Sequence, residues 1–551
     1  METKKYILVA ILIIAAFLRL WKLGSIPPSL TPDEASLGYN AYSVLKTGKD
    51  EYGKLLPVIF KSFGDYKPGL YVYLTIPSIF IFDLNEFAVR LPSALFGIIS
   101  VWLIYLIVKK LFQKENIALI SSFIAAVTPW LIYFSRGAWE VNVSLALTLA
   151  GIYFFLKFLE EEKYIFVSVV SFALTLVCYQ GAKLSTGIVV LLLVVIYFKK
   201  VNKLEPKKII VSVILGLLIS SPILLSLVNG QTGRLEVFSV FSYRRPTEYL
   251  KAILDQGGEK VGNLSYYLFH SEVLNFNRGI LGRYFNHFSG RFLFFEGDWS
   301  NPRHSAPNSG VLLTTDIILL LAGIYAIIRS RLSKEHWFII LWLLLAPLPS
   351  ILSRDQVHAV RSMNMVVPLI VVLSFGLNHI LELINKNKFK TVLYLGGGTI
   401  YLVGLLYFFH SYFVHLPKHD SQLWEYGYKQ VVETITPIQQ NYKTIKVQQS
   451  FAQPYIYFLF YQKYDPAKYQ KNAKLIIADS ALDVGYVIQI DNIKFAPIDW
   501  SVNRGETGTL FVADSIRIPP EDSKDGNLFK IISEIKYLNG RDMAFRIIEV
   551  K

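Results

Sequence analysis

Cysteine is nearly absent: Cys178 stands alone among 551 residues, which excludes an intrachain disulfide and leaves any extramembrane domain to hold by packing alone. Lying inside an apolar run, it reads as a small buried hydrophobe. Residues 411–551 contain no glycine-rich nucleotide-binding loop, so a nucleotide-linked substrate has no visible cradle there. Acidic residues are outnumbered, 41 Asp/Glu against 56 Lys/Arg for a net charge of +15. Residues 411–551 nevertheless hold 17 Lys/Arg against 16 Asp/Glu, so the excess sits among the apolar runs and speaks for phospholipid contact and against nucleic acid. Inverted halves and clustered mid-span charges are missing too, which removes the usual signs of a transporter or flippase.

Apolar residues are what the chain has in abundance. They make up 53% of it, with 15% aromatic, too much for an ordinary soluble protein. Stretches of about 18 to 22 mostly apolar residues, the length that crosses ~30 Å of hydrocarbon, begin near Tyr6, Leu91, Ile117, Asn142, Ile165, Leu184, Ile209, Val311, Trp337, Met363 and Thr391. This predicts a multi-pass helical membrane protein with eleven spans. Lys4 and Lys5 precede the first, and no small-residue cleavage site follows it, as expected of a retained anchor. Lys and Arg collect at alternate span ends, for example Lys109/Lys110/Lys114, Lys199/Lys200/Lys203 and Lys386/Lys388/Lys390. By the positive-inside rule the N-terminus is cytoplasmic and the C-terminus extracytoplasmic. Residues 24–90, 229–310 and 411–551 then share the outer side.

The pair Asp33-Glu34 follows the first apolar run directly and faces water at a membrane surface, where a carboxylate can meet a lipid-borne headgroup on one side and a water-borne acceptor on the other. Within the slab it would be costly. The competing reading is an acidic helix start after Pro32. The spacing of Leu37, Tyr39/Ala41, Tyr42 and Leu45, stopped by Gly48, predicts a surface helix over 35–47. A second helix is expected to start at Pro68, which suits a first helical position. That would put Lys67 at a positive helix terminus, a seat for phosphate. Further polar candidates are Arg136 and Glu140 between spans three and four, Arg234 beyond span seven, Arg303-His304 in the large loop, and His358 and Arg361 before span ten. Arg136 and Arg234 can equally snorkel to headgroups, and the histidines can be solvated loop residues. Segment 229–310, rich in aromatics, is expected to pack over the first loop. Residues 411–551 read as a small α/β domain, with a helix from Trp424 to Ile435 and strands at 445–447, 475–478, 486–490, 509–512 and 543–549.

In order, Leu18-Arg19-Leu20 closing a short first span, Asp33-Glu34, Lys67-Pro68 followed by Leu70 and aromatics, and Arg90-Leu91-Pro92-Ser93-Ala94-Leu95 opening the second span resemble the dolichyl-phosphate-mannose protein mannosyltransferase superfamily, glycosyltransferase family 39, with its aminoarabinose-transferring relative. Ser135-Arg136 with Glu140, Asn301-Pro302-Arg303-His304 and His358-Ala359-Val360-Arg361 extend the likeness to bacterial members. The resemblance covers residues 1–430 well and the remainder weakly. It implies a GT-C fold over residues 1–410 with an extracytoplasmic domain over 411–551, and inverting transfer of a sugar from a polyprenyl-phosphate donor to a protein, lipid or glycan hydroxyl. It assigns Asp33 as general base, Glu34 to acceptor orientation or a metal, Glu140 as a second catalytic acid, and Lys67, Arg136, Arg234, Arg303, His304, His358 and Arg361 to the donor phosphate. A divalent metal is left open, because the aminoarabinose branch holds one with an acidic residue before Lys-Pro and Tyr66 stands there in this chain. The alternative class is a ligase or polymerase with a lipid-diphosphate donor.

Overall fold

The computed structural model describes residues 2–229, 239–242, 244–449, 453–472, 475–476 and 485–551. Arg234 lies outside the described residues, as do positions 477–478 of an expected strand. The chain opens with α1 (Glu2–Leu20), α2 (Pro32–Thr47), the hairpin β1 (Ile59–Ser62) and β2 (Asp65–Pro68), α3 (Leu70–Phe82), α4 (Glu86–Phe112), α5 (Glu115–Val127), α6 (Pro129–Ser135) and α7 (Glu140–Phe158). A bundle of further apolar helices follows, and a mixed six-stranded sheet closes the chain.

Every apolar run expected from the sequence contains a helix, but the helices differ in reach. Among the described residues five are long and apolar enough to cross a membrane: Glu86–Phe112, Glu140–Phe158, Pro206–Val228, Met363–Asn385 and Lys390–His419. A sixth arises if α5 and α6, bent by 55° at Thr128, count as one. The expected count of eleven therefore exceeds what helix length supports. Tyr164–Leu176, Ala182–Ile196, Asp316–Arg329 and Lys334–Leu345 are single helices of 12 to 15 residues, short of the roughly 20 that span a bilayer.

Helix α2 forms where its residues direct. Thr31 and Glu34 make a reciprocal capping box, Pro32 occupies the first turn, and Gly48 closes the helix in the left-handed region at φ 71°. The second loop helix departs from expectation. Lys67 and Pro68 belong to strand β2, with Phe60 paired to Lys67 and Ile59 to Pro68, and α3 begins at Leu70 after Gly69. A proline lacks the N–H that a ladder interior needs, yet it fits the last position of a two-stranded ribbon. Lys67 is thus presented by a hairpin strand, not by a helix terminus.

Two large cores organise the described residues, with a smaller one around Trp500 and Phe511 on the C-terminal sheet. One lies among the helices around Trp130, Leu149, Trp342 and Ile370. The other joins the first loop to the C-terminal region: Leu30, Tyr39, Phe60 and Tyr71 pack with Tyr455, Tyr457, Phe460 and Val447. Helix Tyr455–Tyr461 carries six buried side chains in succession and lies against α2. Tyr457 donates to the Leu30 carbonyl at 3.1 Å, Tyr39 to the Tyr464 carbonyl at 3.0 Å, and Gln470 reaches the Asp50 carbonyl at 3.0 Å. A Cβ on Gly38 would come within 2.6 Å of both Phe460 and Val89, so the close approach needs glycine. Residues 24–90 and the C-terminal region share one apolar interior. The sheet order is Gln489–Ile490, Ile493–Ala496, Thr444–Gln448, Thr509–Ala513, Met543–Val550 and Phe529–Lys536, with Thr444–Gln448 parallel to both neighbours. Strands Ile493–Ala496 and Phe529–Lys536 are additions to the sequence reading. Segment 244–310 hydrogen-bonds toward residues 344–358, as from Tyr284 to the Leu344 carbonyl at 3.0 Å and from Arg283 to the Arg354 carbonyl at 3.1 Å.

Candidate active site

Three fully buried arginines frame the first loop, each donating to several backbone carbonyls. Arg19 donates to the Ala15, Ala126 and Ala125 carbonyls and to Ser135. Arg136 donates to Leu18, Trp21 and Ile26 at 2.8, 2.7 and 3.1 Å, and its guanidinium stacks on Phe413. Arg90 donates to Leu23 and Pro27 at 3.2 and 2.9 Å and pairs with Glu34 at 3.0 Å. Loop backbone buried among helices needs such partners, and a planar five-donor head serves several carbonyls at once. Arg136, a phosphate candidate from the sequence, is spent on this frame.

Glu34 belongs to the frame as well. It is 4% exposed, and its oxygens accept from Arg90, from the Ala138 N–H at 2.8 Å and from the Thr31 N–H at 2.9 Å. The carboxylate ties α1's exit, α2 and the start of α7 together, and every partner is a donor. Asp33, one residue earlier on the opposite side of the helix turn, is solvent-exposed, with 58% of its side chain accessible.

Asp33 meets Lys67 in an ion pair. Burial disfavours the Lys67 ammonium, but the charges of Asp33 and Glu140 and the hydrogen bond it donates to Asp33 outweigh it and hold its pKa above the ordinary value. Lys67 therefore carries a full positive charge at a mouth lined by Asp33, Glu140 and Asp65. Tyr179 lies within electrostatic reach of both Glu140 and Arg361. Arg361 also pairs with Asp355 at 3.0 Å. Gln180 bonds the Tyr66 carbonyl and steadies the hairpin from beneath. Behind it, Glu51 is fully buried, held at 3.1 Å by Asn40, with its second oxygen unsatisfied. Burial pushes its carboxyl up to about 8, against a lowering by Asn40.

The remaining sequence candidates lie a step away. His304 bonds Asp298 at 3.0 Å and rests edge-on against Trp139, the residue before Glu140. His358 stacks on His304 at 4.9 Å between ring centres, and burial first, then Arg361, holds it well below the usual histidine range, so it is neutral. Arg303 faces a cavity of about 510 Å³ between the large loop and the C-terminal region, which Ser300, Gln422, Glu425, Tyr428, Asp514 and Tyr537 also line. Burial lifts the Glu425 carboxyl to about 7, against the pull of Arg303. The structure thus brings Asp33, Lys67 and Glu140 together, keeps His304, His358 and Arg361 in the turns beside them, and assigns Glu34 and Arg136 to the scaffold. Asp298, Glu51, Tyr179 and Glu425 were not singled out in the sequence. Only Asp298 had a signal, six residues before His304 in a Gly-Asp turn.

The metal position of the aminoarabinose branch does not fit this chain. Tyr66 offers no carboxylate, and Asp65 accepts from the Tyr66 N–H at 2.8 Å. Among the described residues the group with metal-ligand spacing is Asp298, His304 and His358, which excludes Asp65.

Residues 67–225 match the family model described as dolichyl-phosphate-mannose-protein mannosyltransferase. No curated protein matches the chain by sequence. Among solved structures, the chain is similar to ArnT from Cupriavidus metallidurans bound to undecaprenyl phosphate, with 10% identity and a TM-score of 0.55 over 98% of this chain and 96% of that one. The apo form of the same protein gives 11% identity and a TM-score of 0.54 over the same shares. The S. cerevisiae protein O-mannosyltransferase Pmt1-Pmt2 complex bound to the sugar donor gives 19% identity and a TM-score of 0.32 over 43% of this chain and 35% of that one. The whole-length likeness to ArnT is one of fold, and that fold is GT-C.

Proposed function

We propose that this chain, a member of the protein-mannosyltransferase/GT-C glycosyltransferase superfamily, transfers a sugar from a polyprenyl-phosphate donor to an acceptor hydroxyl at the extracytoplasmic membrane surface, with inversion. The observation that carries this reading is the ion pair of Asp33 with Lys67, facing Glu140 across the mouth. Inverting transfer needs a base for the acceptor proton on one face of the anomeric carbon and a cation for the departing phosphate on the other. Without ligand the two groups satisfy each other. The donor phosphodiester carries one negative charge, as a carboxylate does, and the departing monoester gains a second as the glycosidic bond breaks, so the Lys67 ammonium turns to the leaving phosphate and frees Asp33 to accept the acceptor's proton. Arg361, which like Glu140 lies within electrostatic reach of Tyr179, is the second cation for the leaving phosphate, and Glu140 orients the acceptor or the sugar. Such contacts act most strongly where water is excluded. No step runs through a metal.

Glu34 positions Asp33: fixed by Arg90 and two backbone N–H groups, it sets the first turn of α2 and so the direction of its neighbour. Arg136 holds the exit of α1. The cavity lined by Arg303, Glu425, Tyr428 and Tyr537 suits the acceptor, since aromatic faces and carboxylates are the usual partners of sugars and polar chains, and the C-terminal region contributes most of it. The N-terminus is then cytoplasmic and the sheet extracytoplasmic. The test is turnover in proteoliposomes: undecaprenyl-phosphate-linked sugars are supplied and release of undecaprenyl phosphate is followed by mass spectrometry. Release with transfer supports the proposal. Turnover of lipid-diphosphate donors alone supports a ligase or polymerase and overturns it.

A further inference from the structure

We infer that Asp298, His304 and His358 form a site for one divalent transition metal of the zinc class, in the wall between the Lys67 mouth and the cavity beneath the C-terminal region. The three residues come from two chain segments, the turn before residue 305 and the turn before residue 361. They are buried, at 0%, 7% and 8% exposure, and one donor atom from each lies within 4.8 Å of the other two. Donors bound at ~2.1 Å around a tetrahedral ion stand about 3.4 Å apart. Asp298 and His304 already stand at 3.0 Å, and a small movement of the His358 ring toward them completes the set.

Charge supplies the second argument. Asp298 is wholly buried, and its carboxylate accepts from the Ala359 N–H at 2.7 Å and the Asn301 N–H at 3.0 Å and meets His304 at 3.0 Å. Buried carboxylates are paired with a charge or coordinate metal. His304 and His358 lie side by side, their ring centres 4.9 Å apart and their planes tilted by 42°, so both rings stand next to the carboxylate and a divalent cation among the three donors supplies its counter-charge. The surroundings fix Asp298 from outside through the backbone N–H groups of Asn301 and Ala359. Outer partners of this kind orient metal ligands. Three protein ligands also leave one position open, as in reactive zinc sites, and His304 borders the cavity, so an oxygen of a bound molecule can occupy it.

This site is independent of the transfer chemistry, because metal content is read without turnover. The full chain is purified in detergent without chelators, metals are quantified by inductively coupled plasma mass spectrometry, and zinc is titrated back after chelation. About one zinc per chain is expected. In Asp298→Asn and His358→Phe, zinc content falls by roughly tenfold or more, while Asp33→Asn keeps it. His358→Cys, which supplies a thiolate, retains zinc and shows that the loss in His358→Phe is not misfolding. Absence of zinc, manganese and other divalent ions from the wild-type chain with no uptake on titration overturns the inference and leaves an Asp298–His304 ion pair. Equal zinc in the wild-type, Asp298→Asn and His358→Phe proteins overturns it as well.

Discussion

Replacing Glu34 by Gln is the sharpest test of which acidic residue builds the site and which works in it. The change keeps shape and volume, but Glu34 accepts from Arg90, Ala138 N–H and Thr31 N–H, all of them donors. The new amide nitrogen must turn toward at least one of them. Arg90, with no exposed side-chain surface, loses its counter-charge in the same step. Removing one member of a buried, hydrogen-bonded ion pair costs about 3–5 kcal/mol, so the unfolding free energy of Glu34→Gln should fall by that order. The assay is chemical or thermal unfolding in detergent, alongside transfer activity normalised to folded protein. The double variant Glu34→Met/Arg90→Met, which removes both charges, should recover part of the loss, and a double-mutant cycle measures the coupling. A Glu34→Gln protein with wild-type stability and abolished transfer would refute the positioning role and make Glu34 a chemical participant.

Glu51 provides a pH signature. Its carboxyl is held up to about 8 from an ordinary 4.5, so between those values the folded chain keeps a proton that the unfolded chain releases. Stability from this group is present below about pH 4.5 and is lost as pH rises, by ~1.4 kcal/mol per unit until about pH 8. Glu51→Gln should flatten the unfolding profile from pH 6 to 8, and an unchanged slope would remove Glu51 as its source. Lys67→Met should weaken binding of undecaprenyl phosphate by tenfold or more, about 1.4 kcal/mol for a charge-assisted contact, measured by fluorescence competition; Lys67→Arg should restore part of it, and wild-type binding in Lys67→Met would contradict the phosphate role. Gly38→Val should separate the first loop from the C-terminal helix by forcing its side chain into Phe460 and Val89, read as faster proteolysis or hydrogen exchange over residues 32–90 and 455–461. Protection equal to wild type would contradict a shared core.

Much of the architecture was legible because it rests on local signals. Pro32, the apolar spacing and Gly48 mark α2 within three residues of its observed bounds, and each apolar run holds a helix. The number of membrane crossings was less legible, since hydropathy measures composition while a kink at Thr128 or a short helix such as Lys334–Leu345 is decided by packing. Lys67 was expected at a helix start because Pro68 suits both that position and a hairpin end, and only pairing with Ile59–Ser62 distinguishes them. Arg136 and Glu34 read as site residues because each has backbone partners more than 100 positions away, as with Arg136 and the Leu18 carbonyl or Glu34 and the Ala138 N–H. Backbone acceptors leave no mark in a sequence. The union of residues 24–90 with the C-terminal region was hidden for the same reason, with Tyr457 meeting Leu30 across 427 positions.

The most direct measurement of the central claim is the transfer rate of Asp33→Asn in proteoliposomes with saturating polyprenyl-phosphate sugar. Asp33 lies on the exposed turn of α2, so the variant should unfold as the wild type does. With its base removed, transfer should fall by about 10²–10⁴-fold while binding of undecaprenyl phosphate persists or strengthens, because Lys67 no longer has Asp33 as its partner. Wild-type transfer by a stably folded Asp33→Asn chain would contradict the account.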